Sequence, residues 1–262
     1  MTIAASDPGG GAGIQADLKT FSALGVHGTT VITAIAVENT VEVRSIHPMP
    51  LKVIEDQFKV VIDDFAVRAI KCGVLFNKET AELVARLLEE QRDRGVNMPL
   101  VLDPVMVAQV GGPLAKKSLL SGLRTLAPMA KVITPNRYEA EKLIGKPIEE
   151  VRSSLEELSR LGSEYVLLKG GHFKEQEGMS IDFLYECGTG KTVILRERRF
   201  AKGTHGSGCT LSSAVAAFLA ISLSVEESVK KAKSFISKAI SNSYQPGKGV
   251  GVVNQLGLGT SG

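Results

Sequence analysis

Short β-rich runs alternate with segments of helical period along the first two thirds of the chain, the pattern of a parallel sheet covered by helices. The predicted strands are residues 2–6, 29–37, 66–74, 100–103, 132–134 and 165–169. Between them, IQADLKTFSAL places Ile14, Leu18, Phe21 and Leu24 on one helical face. ETAELVARLLEE repeats that spacing with Leu83 and Leu87, and Glu90 marks its solvent edge. These are βαβ units, so the fold class is α/β. After Lys169 the rhythm changes: residues 182–186 and 192–200 read as two strands joined by CGTGK in a hairpin. Two helices close the chain, one over about 208–221 and one opened by Ser224 with Glu227 three residues later, a capping box.

At 262 residues the chain buries a sizeable core, and no Pro/Gly/Ser-rich linker divides it. One domain over residues 1–253 is expected, with 254–262, NQLGLGTSG, as a frayed tail. No apolar run approaches the ~20 residues of a membrane span. The chain enters its first apolar segment without a basic leader or cleavage-site pattern, so the expectation is a cytoplasmic protein with no membrane partner. The net charge of +3 comes from interspersed acids and bases, not from a basic stripe, which argues against nucleic acid and leaves anionic small molecules. Cys72, Cys187 and Cys209 are an odd number, far apart with no CxxC spacing, which argues against a disulfide framework or a zinc site.

Two glycine loops precede helices, and each offers free N–H groups at the positive end of a helix dipole. In SDPGGGAGIQAD, Gly11, Gly13 and Ala16 fit the spacing of a dinucleotide site, with Glu38 placed as a ribose-binding acid. Against that reading, Asp7-Pro8 inserts a fixed carboxylate and a rigid turn; a tight turn and a small-substrate loop are the alternatives. The second loop, residues 203–209, leads into an apolar stripe of Leu211, Ala214, Val215, Phe218 and Leu219, which fixes a helix start near Gly208. Cys209 then lies in the first turn, where the dipole stabilises a thiolate against the free pKa of about 8.5. The competing reading is a small buried hydrophobe.

Asp103 in VLDPVM, Asn136 and Glu139 in ITPNRYEAE and Lys169 in LLKGGH stand at successive strand ends. In a parallel sheet these converge on one edge, where ligands bind. Two acids and a lysine beside an anion-holding helix start are what phosphoryl transfer requires. Strand-end caps and turns are the plainer alternative for each residue taken singly.

TIAASDPGGGAGIQADLKTFSALG, VENT, VLDPVM, ITPNRYEAE, LLKGGH and THGSGCTLSSAVAA, in this order and spacing, resemble the hydroxymethylpyrimidine and hydroxymethylpyrimidine-phosphate kinases of thiamine synthesis, members of the ribokinase superfamily. The resemblance covers about residues 2–253. It implies a ribokinase-like three-layer α/β/α sandwich with a mostly parallel central sheet, a homodimer, and successive phosphorylation of 4-amino-5-hydroxymethyl-2-methylpyrimidine and its monophosphate with ATP and Mg²⁺. By resemblance Cys209 takes the place of a catalytic Asp, with Gly206, Ser207 and Gly208 as the backbone anion hole. Asp103 and Glu139 would lie near Mg²⁺, and Asn136, Lys169, Thr204 and His205 near ATP. Glu38 would bond the polar ring edges of the pyrimidine, the loop at Gly11 and Ala12 would close over it, and Val74 and Val105 would pack on its faces. Ala5 and Gly9 stand where the family has Gly and Ser, and Val74 where some members have Met, departures that touch substrate preference. Pyridoxine or pyridoxal kinase is the nearest alternative, and a non-catalytic ligand-binding protein on the same fold is the other.

Overall fold

The computed structural model describes residues 1–107, 111, 114–170, 178–200 and 203–257. Nine strands form one sheet: β1 (Thr2–Ser6), β2 (Thr30–Glu38), β3 (Val43–Pro48), β4 (Ile70–Cys72), β5 (Leu100–Leu102), β6 (Val132–Ile133), β7 (Tyr165–Leu168), β8 (Met179–Glu186) and β9 (Thr192–Arg198). Their order is β3-β2-β1-β4-β5-β6-β7-β8-β9. Strands β2, β1, β4, β5, β6 and β7 are mutually parallel, while β3, β8 and β9 join antiparallel at the two ends. The ribokinase-like α/β expectation is met.

Helices cover both faces. α2 (Leu51–Asp64), α3 (Lys78–Asp93), α4 (Leu119–Leu126), α5 (Arg137–Ile144) and α6 (Val151–Ser159) close one core around Phe58, Leu87, Leu123 and Leu158. α1 (Gly13–Ala23), α7 (Ser207–Ala220) and α8 (Val225–Ser241) close the other around Phe21, Val215 and Val229. The capping box read at Ser224 and Glu227 is present and opens α8. A second one, Asn136 with Glu139, opens α5.

The differences from the sequence reading have physical causes. β3 is a short edge strand with mixed burial, so it lacks the apolar run that marks a central strand. The strand expected over 66–74 is only β4, Ile70–Cys72. α7 carries no single stripe: Thr210, Ser212, Ser213, Ala216 and Ala217 are buried alongside Leu211 and Val215, whereas Phe218 is only partly so. Its small residues let it pack close to both α1 and α8, which bury it nearly all round. Asn254 and Gln255, expected in a frayed tail, are tied to the body of the protein. The Asn254 N–H donates to the Ala239 carbonyl at 3.0 Å, and buried Gln255 donates to Thr210 Oγ1 at 3.0 Å. Residues 258–262, and Gly171 and His172 of LLKGGH, lie outside the described residues.

Candidate active site

Parallel order brings the carboxyl ends of β1, β2, β4, β5, β6 and β7 to one edge, and the two glycine loops meet there. After β1 the chain wraps around its own aspartate. Asp7 Oδ1 accepts from the Gly9 N–H at 2.7 Å, and Oδ2 accepts from Gly11 at 2.9 Å and Ala12 at 2.7 Å. Burial opposes charge on Asp7, but the hydrogen bond from His205 and those from Ala12 and Gly9 hold its carboxyl below the usual range. A loop whose N–H groups are taken by its own carboxylate has none left for a pyrophosphate, so the dinucleotide reading falls. Asp7 is therefore the residue that shapes this loop, signalled in the sequence only as the interruption of a fingerprint.

The second loop packs directly on the first. Gly206 caps α7 with φ +81°, and a Cβ there would stand 1.8 Å from the Gly11 carbonyl oxygen. Only glycine satisfies both the left-handed backbone and that approach. His205 turns its buried ring toward the first loop, Nε2 lying 3.4 Å from Asp7 Oδ2, and Gly11 packs against that ring. Cys209 occupies the first turn of α7 as expected, and the Gly13 N–H at the start of α1 donates to its sulfur. Two helix starts thus converge on one thiol. Of the two opposing influences, burial wins: it pushes the Cys209 thiol up to about 11, with Lys71 opposing and the charges of Asp17 and Asp103 adding to the rise. Burial outweighs both Lys71 and the Gly13 N–H here.

Across the cleft, Lys169 Nζ lies 3.0 Å from Asp103 Oδ1 and 3.6 Å from Glu139 Oε2. Asp103 is fully buried and also accepts from Thr134 Oγ1 and Ser212 Oγ, both at 3.1 Å. Against burial, Lys169 and then Lys71 keep its carboxyl below the usual range. Glu139 goes the other way: burial, with Lys169 opposing and Asp103 adding, brings it up to about 7. Its Oε2 accepts from the Asn136 N–H at 2.7 Å, while the Asn136 side chain accepts from the Glu139 N–H at 2.9 Å. The cap reading holds for this pair, which also lines the cleft while opening α5. As a cage for a bare Mg²⁺ the set does not fit. Both carboxylates are engaged by protein donors, and among the described residues no three His, Cys, Asp or Glu side chains converge.

The cleft has a volume of about 760 Å³. At one end Ala5, Val74, Val105 and Leu114 make an apolar wall, beside Ala12 and the half-buried Glu38 at the end of β2. Burial, with Asp7 adding and His205 opposing, brings the Glu38 carboxyl up to about 7. Thr204 through Cys209, with Lys169 and Asp103, line the middle. The far end, lined by Ser180, Asp182, Arg198, Phe200, Lys233 and Ile236, escaped the sequence reading. One signal was available: Lys233 sits on the apolar face of α8 among Val229, Ala232 and Ile236, and it is held by Asp182 Oδ2 at 2.7 Å.

A helix start and a lysine that gather negative charge, between an apolar acceptor end and a roomier polar end, define a small-molecule phosphotransferase of ribokinase-like fold. Comparison with known proteins agrees. A family model described as phosphomethylpyrimidine kinase matches residues 7–254. The hydroxymethylpyrimidine/phosphomethylpyrimidine kinase of Haemophilus influenzae is 43% identical over 260 residues, covering 97% of this chain and 95% of that one. The thiamine biosynthesis bifunctional protein ThiED of Geobacter sulfurreducens is 42% identical over 260 residues, but the chain spans only 52% of its length. Among solved structures, an ADP complex of Bacillus subtilis pyridoxal kinase superposes with a TM-score of 0.86 at 35% identity, covering 98% of this chain and 97% of that one. The chain belongs to the phosphomethylpyrimidine kinase family.

Proposed function

We propose that the protein transfers the γ-phosphoryl group of ATP to the hydroxymethyl oxygen of 4-amino-5-hydroxymethyl-2-methylpyrimidine, and then a second phosphoryl group to the monophosphate. The observation that carries this reading is the placement of Glu38, a carboxyl that keeps its proton up to about pH 7, at the apolar end of a cleft whose middle is the α7 start. A protonated carboxyl donates one hydrogen bond and accepts another, matching a ring nitrogen and its adjacent exocyclic amine. Val74 and Val105 flank that position, and the hydroxymethyl group then points toward Cys209.

The nucleotide occupies the other half of the cleft, with its phosphates over Gly206, Ser207 and Gly208 and beside Lys169, Asn136 and Thr204. His205 serves them indirectly, by joining the phosphate loop to the substrate loop. Mg²⁺ would be held chiefly by the phosphates of ATP and would neutralise their charge, with Asp103 and Glu139 as the carboxylates nearest to it. The chain's own contribution is placement and charge neutralisation, since phosphoryl transfer through a loose transition state asks little else. The alcohol proton passes to Cys209 Sγ, which the Gly13 N–H already contacts. A thiol with a pKa of about 11 is ionised to about one part in 10⁴ at pH 7, so the transfer belongs late in the reaction, when the alcohol oxygen has begun to bond phosphorus.

The same reading makes residues 1–257 one catalytic unit, working as a homodimer in the cytoplasm. Ile35, Val37 and Val41, exposed at the β2–β3 edge, support pairing, and among the described residues no helix is long and apolar enough to cross a membrane. ATP turnover measured side by side with the hydroxymethylpyrimidine, its monophosphate and pyridoxal tests the substrate. We expect both pyrimidines to be phosphorylated with kcat/KM at least tenfold above pyridoxal. Turnover of pyridoxal alone would reassign the acceptor.

A further inference from the structure

Beneath Cys209 lies an ion pair that the chemistry above does not use. Lys71 on β4 and Asp17 on α1 are both completely buried, and Lys71 Nζ donates to Asp17 Oδ1 at 3.0 Å and Oδ2 at 2.9 Å. Asp17 accepts two further bonds, from Thr2 Oγ1 on β1 and from Ser213 Oγ on α7, both at 2.6 Å. One carboxylate thus ties four elements together. The room for the ammonium is built in: a Cβ on Gly73 would stand 2.7 Å from Lys71 Nζ.

The attachment on α7 is what relates the pair to the site. Ser213 lies four residues after Cys209, on the same helical face one turn along. Ser212, beside it, bonds Asp103 Oδ2 at 3.1 Å. Successive serines therefore fasten the start of α7 to two carboxylates, one in the Lys169 cluster and one in the buried pair. The charged groups within electrostatic reach of the thiol are Lys71 from β4, Asp17 from α1, Asp103 after β5 and Lys169 after β7. Buried ion pairs are often replaceable by well-packed apolar side chains of similar volume, so a buried lysine–aspartate pair is weak evidence of a stabilising role.

We propose that the Lys71–Asp17 pair is a positioning unit of the phosphoryl-transfer site: Asp17 holds the start of α7 in register through Ser213, and the Lys71 ammonium is the fixed counter-charge beneath Cys209. Lys71 and Asp17 touch neither substrate nor nucleotide; they act through the helix that carries the thiol and the anion hole. The proposal rests on Cys209 being the proton acceptor, and the experiment separates the two ideas, because one readout needs no turnover.

The test uses Lys71→Met, Asp17→Asn and Ser213→Ala in the full chain. The rate of Cys209 alkylation by iodoacetamide at pH 8, read by mass spectrometry of the peptide that contains it, reports thiolate without substrate. We expect Lys71→Met to slow alkylation about tenfold and Asp17→Asn to speed it severalfold. Loosened packing moves both in the same direction, so opposite signs are specific to charge. Ser213→Ala leaves the ion pair intact; it should lower kcat about tenfold while both KM values stay within about threefold. Alkylation shifts of the same sign in the two charge variants, or wild-type kcat in Ser213→Ala, would overturn the proposal. If Lys71→Met does not fold, faster alkylation in Asp17→Asn together with the Ser213→Ala kinetics decides it, and unchanged alkylation in Asp17→Asn overturns it. A wild-type kcat in Cys209→Ala beside opposite alkylation shifts would instead overturn the role given to the thiol.

Discussion

Glu38 and Cys209 both hold their protons to higher pH than the free groups do, for a shared reason: burial disfavours the charged form, and the charges around each do not offset that desolvation. For Glu38 the consequence is measurable in the working range. Its folded pKa of about 7 is raised above the ordinary carboxylate value, so the ionised form is the one the fold disfavours. As pH rises through 7 the carboxyl loses the proton that it donates to the ring, and KM for the pyrimidine should climb, approaching tenfold per pH unit once ionisation is complete. Glu38→Gln presents the same donor and acceptor without titrating. Its KM should stay flat between pH 6 and 9, and a rise parallel to wild type would assign the titration elsewhere. By the linkage sign, the raised pKa also means that Glu38 stabilises the fold least above pH 7 and withholds nothing below the unfolded value near 4.5. Much of this residue-level account was legible in the sequence, because Glu38, Lys169 and Cys209 stand beside recognisable strand ends and loops. The protonation of Cys209 was not, since helix position is written locally whereas burial depends on α1, α7 and the sheet closing over it.

At the scale of elements, the site is the junction of two helix starts, α1 and α7, held at contact distance by glycine. Gly206→Ala tests that junction. A left-handed backbone costs a non-glycine residue roughly 1–2 kcal/mol, and the added Cβ meets the Gly11 carbonyl at 1.8 Å, so backbone must move as well. We expect a lower melting temperature and a kcat reduced at least 10²-fold, read by thermal unfolding and steady-state turnover. A variant with native turnover would show that the loops need not touch. Taken alone, the residues marked both loops but left open which ligand each serves; the family resemblance gave the first to the small substrate and the second to the phosphates. Asp7 settles part of that question only in three dimensions, where its carboxylate gathers the N–H groups of Gly9, Gly11 and Ala12. β3 was missed for a plainer reason: VRSIHP has no apolar alternation, because an edge strand with both faces partly exposed needs none.

For the whole molecule, the order of strands turns separate motifs into one cleft. β1, β4, β5, β6 and β7 are neighbours, so Asp7, Asp103, Asn136 and Lys169, spread over more than 160 residues of sequence, come to a single edge. That convergence follows from the βαβ rhythm and was foreseeable. The far end of the cleft was not, because it is built from β8, β9 and α8, whose polar residues Asp182 and Lys233 read in sequence as ordinary hairpin and helix positions. The central claim is that a small alcohol and the γ-phosphoryl group of ATP meet at Cys209. The most direct test follows both phosphorylation steps in wild type and in Cys209→Ala, with the hydroxymethylpyrimidine and then its monophosphate as acceptor. In the first step the acceptor must lose a proton, and kcat should fall 10²–10⁴-fold; in the second the acceptor is already an ionised phosphate, and the loss should be markedly smaller. Equal turnover of wild type and variant in the first step would contradict the account.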